Sequence, residues 1–135
     1  MNTATETAEQ LYTALAKVDI DGLKALLTDD FVGEISAGMP HGVAGPHHGP
    51  EDMVHRMWGV LGKVYDIHVD PSEYLAVGPD RVVVLGRYWG PARNGDTEVD
   101  AAFAHIITTR GEQISHLVQI TDTARWGFTP GSTTR

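Results

Sequence analysis

The stretch "HGVAGPHHGPEDMVH", residues 41–55, holds four of the chain's seven histidines. Imidazole is a common metal ligand, and it changes charge near neutral pH, so this density raises metal binding and proton transfer as candidate chemistries. A metal site asks for ligands that converge from i,i+4 on a helix or i,i+2 on a strand, supported by a carboxylate. His47 and His48 are adjacent and do not converge easily. Glu51 and His55 are i,i+4 and share a helix face, but one such pair is ordinary on a solvated helix. No metal site is expected. Pro40, Gly42, Gly45, Pro46, Gly49 and Pro50 make the stretch begin as a loop. Proline at a first helical position, followed by Glu51 and Asp52, then starts a helix. What remains for most of these histidines is a structural or solvated role; the alternative is substrate contact by His41, His47 or His48, and His48 is the one assigned to it.

The elements that would position such groups follow from periodicity. Thr3 and Glu6 have the spacing of a capping box, and Ala8, Leu11, Leu15 and Val18 recur at helical spacing, which predicts a helix over about 4–18. Asp19 can cap a short second helix carrying Leu23, Leu26 and Leu27. A strand is expected from Phe31 to Ala37. The third helix carries Val54, Trp58 and Leu61 on one stripe and Met53, Met57 and Val60 on the next. From Tyr65 the pattern turns to strands: "YDIHVDPSEYLAVG", interrupted near Pro71, then "DRVVVLGRYWGPAR", then the hairpin "TEVDAAFAHIITT" and "QISHLVQITD". "NGD" is a hairpin turn signal. Segregated helices and consecutive antiparallel strands mean α+β. A long bent sheet curled around an apolar helix encloses a cone, and a cone open at one end is a pocket.

The totals agree with a small soluble domain. The chain has 135 residues, a formal net charge of −8 and no cysteine. That charge disfavours nucleic acid and anionic membranes as partners. Without cysteine there are no disulfides, Fe–S clusters, thiolate catalysis or cysteine zinc sites. The N-terminus lacks the basic and apolar regions of a secretory signal. No run approaches the ~18 apolar residues of a membrane span. A cytoplasmic protein is expected, with one domain over 1–125 and a tail over 126–135.

"LYTALAKVDIDGLKALLTDDFVGEI", "HHGPEDM" and "LGRYWGPARNGDTEVDAAFAHIITTRGEQISHLVQITDT" together resemble the nuclear-transport-factor-2-like (NTF2-like) superfamily, and more closely its SnoaL-like and ketosteroid-isomerase-related members. The likeness covers roughly 8–125. It implies a cone-shaped α+β fold with three N-terminal helices on a strongly bent, mostly antiparallel sheet. It also implies a homodimer through the convex sheet face and chemistry without a cofactor. The fold hosts isomerases, cyclases, epoxide hydrolases, dehydratases and binding modules, so roles transfer only residue by residue. The three steroid-isomerase positions fall on Leu11, Ile35 and Ala104, none of which can act there. Tyr12 lies one residue from the tyrosine position, about 100° round the helix. The water-activating acid set of the epoxide hydrolases is incomplete at Gln119. The cyclases' pocket histidine falls on His105, and their last-strand aspartate again on Gln119, which can hold a carbonyl or a water but takes no proton at pH 7.

Whether His105 faces inward is a question of parity. A two-residue turn at Arg110–Gly111 pairs it with His116 and leaves Gln119 on the other face. A three-residue turn sets it opposite Leu117, in one wall with Phe103 and Gln119. Turn chemistry leaves both open; the resemblance implies the inward one. Glu34, if it points into the cone, is the best remaining carboxylate for a general base. Trp58, Met53 and Met57 on the closing helix, Tyr88 on a central strand, and Tyr12, Phe103 and Leu117 complete the expected substrate wall. The reading is a cofactor-independent cyclase, isomerase or dehydratase for an apolar oxygenated molecule, polyketide- or terpenoid-like, with His105, Gln119 and Glu34 catalytic. The alternative is a binding or dimerisation module of the same fold. A cone filled by its own Met and Trp side chains would sink the enzyme reading; at least two polar groups within hydrogen-bond reach of one point inside it would support it.

Overall fold

The computed structural model describes residues 2–127. Helix α1 (Ala4–Lys17) begins at the expected capping box: Thr3 Oγ accepts from Glu6 N–H, and the Glu6 carboxylate accepts from Thr3 N–H. It buries Ala8, Leu11 and Tyr12, and ends at Val18 in the left-handed conformation. Asp19 caps α2 (Ile20–Leu26) by accepting from Gly22 N–H. The chain then passes directly into β1 (Leu27–Ile35), four residues earlier than the sequence suggests.

The Gly/Pro loop is shorter than its composition indicates. Gly45–His48 forms a strand, β2, antiparallel to β1 with Val32 opposite His48. It lies at the sheet edge, where proline is tolerated because an outward N–H needs no partner. The third helix is a single run in three parts: α3 (Gly49–Asp52), a π-helical segment (Met53–Trp58) and α4 (Gly59–Val64). Strands β3 (His68–Val77), β4 (Arg81–Pro91), β5 (Glu98–Arg110) and β6 (Gln113–Thr121) follow.

All six strands make one sheet in the order β2-β1-β6-β5-β4-β3. Only β1 and β6 pair in parallel. Helix α1 lies against β3, β4 and β5, and α3 against β1. The helices thus cover one face from both halves, and the core sits between. This is the cone-shaped α+β fold expected from the sequence.

Register irregularities bend the strands. One falls between Pro71 and Glu73 of β3, where the sequence placed a break. Gly86 on β4 lies opposite Pro71. A Cβ there would stand 2.3 Å from the Asp70 carbonyl oxygen and 2.6 Å from Phe103 Cζ, so only glycine lets β3 and the Phe103 ring approach this closely.

A second irregularity lies in β6. Gly111 and Glu112 form the turn after β5, with Gly111 at φ 65°. Pairing starts as Arg110 with Gln113 and Thr109 with Ile114, then shifts to Thr108 with His116. Ser115 is the extra residue.

The packed body passes the expected boundary at residue 125. Trp126 is buried, its ring edge against Tyr65 and Tyr88, and its indole N–H donates to Thr121 Oγ1 at 3.0 Å. The rest of the expected tail, 128–135, lies outside the described residues. Among the described residues no helix is long and apolar enough to cross a membrane.

Candidate active site

The Ser115 bulge decides the parity of the last strand. With two turn residues and no bulge, Gln119 would not lie opposite His105. The extra residue brings His105 and Gln119 directly opposite each other, and opposite residues of an antiparallel pair share a face. Both face the core: His105 is 4% exposed and Gln119 1%. Neither turn weighed from the sequence occurs, yet the inward orientation does.

Four side chains from four elements meet there. Tyr12 Oη of α1 lies 2.8 Å from Nδ1 of His105. Tyr88 Oη of β4 lies 2.6 Å from its Nε2. Gln119 Nε2 donates to Tyr88 Oη at 3.1 Å, while its Oε1 accepts from Ser36 N–H at 3.3 Å. The Ser36 bond fixes the amide: a backbone N–H must meet the oxygen, so the NH2 points at Tyr88. The His105 ring stacks on Phe103, with centroids 3.9 Å apart, and on Tyr12 at 5.9 Å.

Every member of this relay is neutral at pH 7. Burial lowers the His105 pKa from 6.5 to about 3, because the imidazolium would lose its hydration. Burial likewise pushes the Tyr12 and Tyr88 phenols well above their ordinary range, with the Gln119 hydrogen bond opposing the rise at Tyr88. The relay therefore holds and donates hydrogen bonds and carries no charge in this state.

The relay borders a cavity of about 10 Å³, room for about one water. His105, Gln119, Tyr88 and Leu117 line it on the sheet side, and Met53, Met57 and Trp58 on the helix side. Leu11, Leu15 and Val69 also line it; in the sequence the two leucines belong to a helix stripe, Leu11 also falls on a steroid-isomerase position where it cannot act, and Val69 has no assigned role. Their signal was periodicity alone, which packing residues share.

The π-helical turn sets the helix side. It carries Met53, Val54 and Met57 inward together, with Trp58 half-buried at its end. A π turn accommodates one more residue than an α turn, and such segments recur at functional sites.

Four expected site residues are placed elsewhere. Glu34 points out of the cone: its side chain is 56% exposed and accepts from His116 Nε2 at 2.5 Å. Strand β1 alternates, and the parity that buries Gly33 and Ile35 turns Glu34 outward. Tyr12 and Phe103 are buried but lie behind the cavity wall, where they pack on His105. His48 is exposed on β2.

The other histidines of residues 41–55 brace the loop and helix. Val43 C=O accepts from His47 Nε2 at 2.7 Å, and Nδ1 of the same ring meets Asp52 Oδ1 at 3.0 Å. His41 Nε2 meets Tyr65 Oη at 2.7 Å, and His55 meets Glu51 on the exposed helix face. Among the described residues no three of His, Asp and Glu come together in a way that could hold a metal ion.

Comparison with known proteins agrees with the fold. The profile of the SnoaL-like domain matches residues 8–117. An NTF2-like protein from Burkholderia thailandensis superposes with a TM-score of 0.83 at 24% identity, over 93% of this chain and 95% of that one. An NTF2-like protein of unknown function from Burkholderia pseudomallei gives 0.81 at 25% identity, over 92% and 94%. TerC co-crystallised with polyporic acid gives 0.79 at 24% identity, over 90% and 92%. No functionally curated protein matches the sequence significantly.

Proposed function

The chain belongs to the SnoaL-like domain family, and on that premise we propose that it is a small-molecule cyclase, isomerase or dehydratase acting by its own side chains on an apolar, oxygenated substrate inside the cone. The fold includes polyketide cyclases and ketosteroid isomerases. The observation that carries the reading is the relay Tyr12–His105–Tyr88–Gln119, which brings three polar groups to the wall of an otherwise apolar cavity. Buried polar groups weaken a core unless they are satisfied or used. This wall suits a carbonyl or enol oxygen: hydrogen bonds in a dry site gain strength as charge develops on that oxygen. The apolar remainder, from Leu11 to Met57 and Trp58, would bind the carbon skeleton and exclude water. Cyclisation also gains from holding a flexible chain in a reactive shape, which needs few ionisable groups.

Two observations favour a second reading, a binding module of the same fold. The cavity is about 10 Å³ and walled on the helix side by Met53, Met57 and Trp58, and among the described residues no carboxylate lines it. A substrate would have to displace these side chains. We further propose that the protein is a homodimer through the outer sheet face.

The readings separate in one assay. Polycyclic ketones, phenols and quinones, polyporic acid among them, are titrated against the protein's tryptophan fluorescence and then incubated with the protein, with products read by mass spectrometry. An enzyme binds and converts a member of the set, and Gln119→Leu lowers conversion. Binding without conversion of any bound compound sinks the enzyme reading and leaves the module.

A further inference from the structure

The donors and acceptors of the relay do not balance, and the imbalance has a direction. A neutral histidine offers one N–H and one bare nitrogen. His105 faces a phenol oxygen on each side. Three protons, one from the imidazole and one from each tyrosine, serve two links. One phenol O–H is left without an acceptor in the relay.

Which phenol it is depends on the imidazole tautomer. If Nδ1 carries the proton, it donates to Tyr12, Tyr88 donates to Nε2, and the Tyr12 proton is left over. That proton would be sealed among Tyr74, Phe103 and His105, whose rings pack around Tyr12. No acceptor other than His105 lies within hydrogen-bond distance of Tyr12 Oη among the described residues, and Tyr12 does not line the cavity. If Nε2 carries the proton instead, Tyr12 donates to Nδ1 and is satisfied. Tyr88 Oη then accepts twice, from His105 Nε2–H and from Gln119 Nε2–H. Its own proton is the one left over, and Tyr88 lines the cavity.

We infer that His105 carries its proton on Nε2, and that Tyr88 is the catalytic hydrogen-bond donor to a carbonyl or enolate oxygen of the ligand, with His105, Tyr12 and Gln119 acting as positioning residues behind it. The inference rests on the functional reading above and changes its roles: His105 does not touch the ligand oxygen but orients the group that does. Two donors converging on Tyr88 Oη also polarise its O–H, since successive hydrogen bonds strengthen one another. The ligand class that fits is one presenting a bare acceptor oxygen on an apolar frame.

Nitrogen-15 NMR of histidine-labelled protein, without ligand, reads which ring nitrogen bears the proton. The expected result is Nε2–H in the wild type. In Tyr88→Phe the Tyr12 O–H still has Nδ1 as its only acceptor among the described residues, so the proton should stay on Nε2. A wild-type ring protonated at Nδ1, or a Tyr88→Phe ring whose proton has moved to Nδ1, overturns the assignment. Because no ligand is present, this outcome is independent of whether the protein is an enzyme. A matched probe pair, 1-tetralone and the hydrocarbon tetralin, then tests the donor. The ketone should bind about tenfold more tightly than the hydrocarbon, the worth of one net hydrogen bond, and Tyr88→Phe should erase that ratio. An unchanged ratio in the variant overturns the role given to Tyr88.

Discussion

His105 is sealed from water as a neutral ring, and the consequence appears at low pH. Its folded-state pKa of about 3 lies below the ordinary 6.5. Between those values the unfolded chain binds a proton at this site that the folded chain does not. The stability the site contributes is therefore intact above about pH 6.5 and declines as pH falls toward the folded value, by at most about 1.4 kcal/mol per unit. Urea unfolding of the wild type at about pH 7 and about pH 5, set beside His105→Gln, isolates this from the carboxylates. The wild type should lose about 2 kcal/mol more than the variant over that span. Glu34 gives the opposite lesson at the same scale. It looked like a base because it was a carboxylate on the right strand, and one step of alternation placed it in solvent beside His116. Glu34→Gln should leave ligand binding in the cone unchanged in a fluorescence titration.

At the scale of elements, the site depends on features that interrupt regular structure. The Ser115 bulge turns Gln119 to face His105, the π segment aligns Met53 and Met57, and Gly86 lets Phe103 close on β3. Gly86→Ala puts a methyl group into backbone and ring. Overpacking of this kind costs about 1–3 kcal/mol, so thermal unfolding should shift down, and the ring that stacks on His105 should be displaced. Sequence reasoning reached the capped helices, the break near Pro71 and the final hairpin because each has a local signature. It missed β2, since "GPHH" has neither alternation nor strand propensity and pairs only through β1. It missed the bulge because an extra residue in β6 leaves no local mark. The inward histidine was legible through the family resemblance, while its partners Tyr12 and Tyr88 were legible as members of the substrate wall and not as its hydrogen-bond partners. Hydrogen bonds between residues 93 positions apart are a property of the fold.

At the scale of the molecule, the two surfaces of one sheet differ in character. The inner face carries the relay. The outer face presents Val83, Leu85, Ile106 and Val118, half-buried, with Ile120 at 52% exposed. A continuous apolar face of this kind is what the proposed homodimer would bury. The protein should run as a dimer in light scattering, and Ile106→Asp with Ile120→Asp should yield a folded monomer. The inner face asks for the opposite property, the capacity to open. A cavity of about 10 Å³ cannot admit a polycyclic molecule, so binding must move Met53, Met57 and Trp58 away from the relay. The most direct measurement is a crystal structure of the protein with the tightest binder from the panel of ketones, phenols and quinones. The expected result is a ligand within the cone, its oxygen within hydrogen-bond distance of Tyr88 Oη, and the Tyr12–His105–Tyr88–Gln119 relay intact behind it. A ligand seated outside, with Met53 and Met57 still closed over His105, would contradict the assignment of the cone as the functional site.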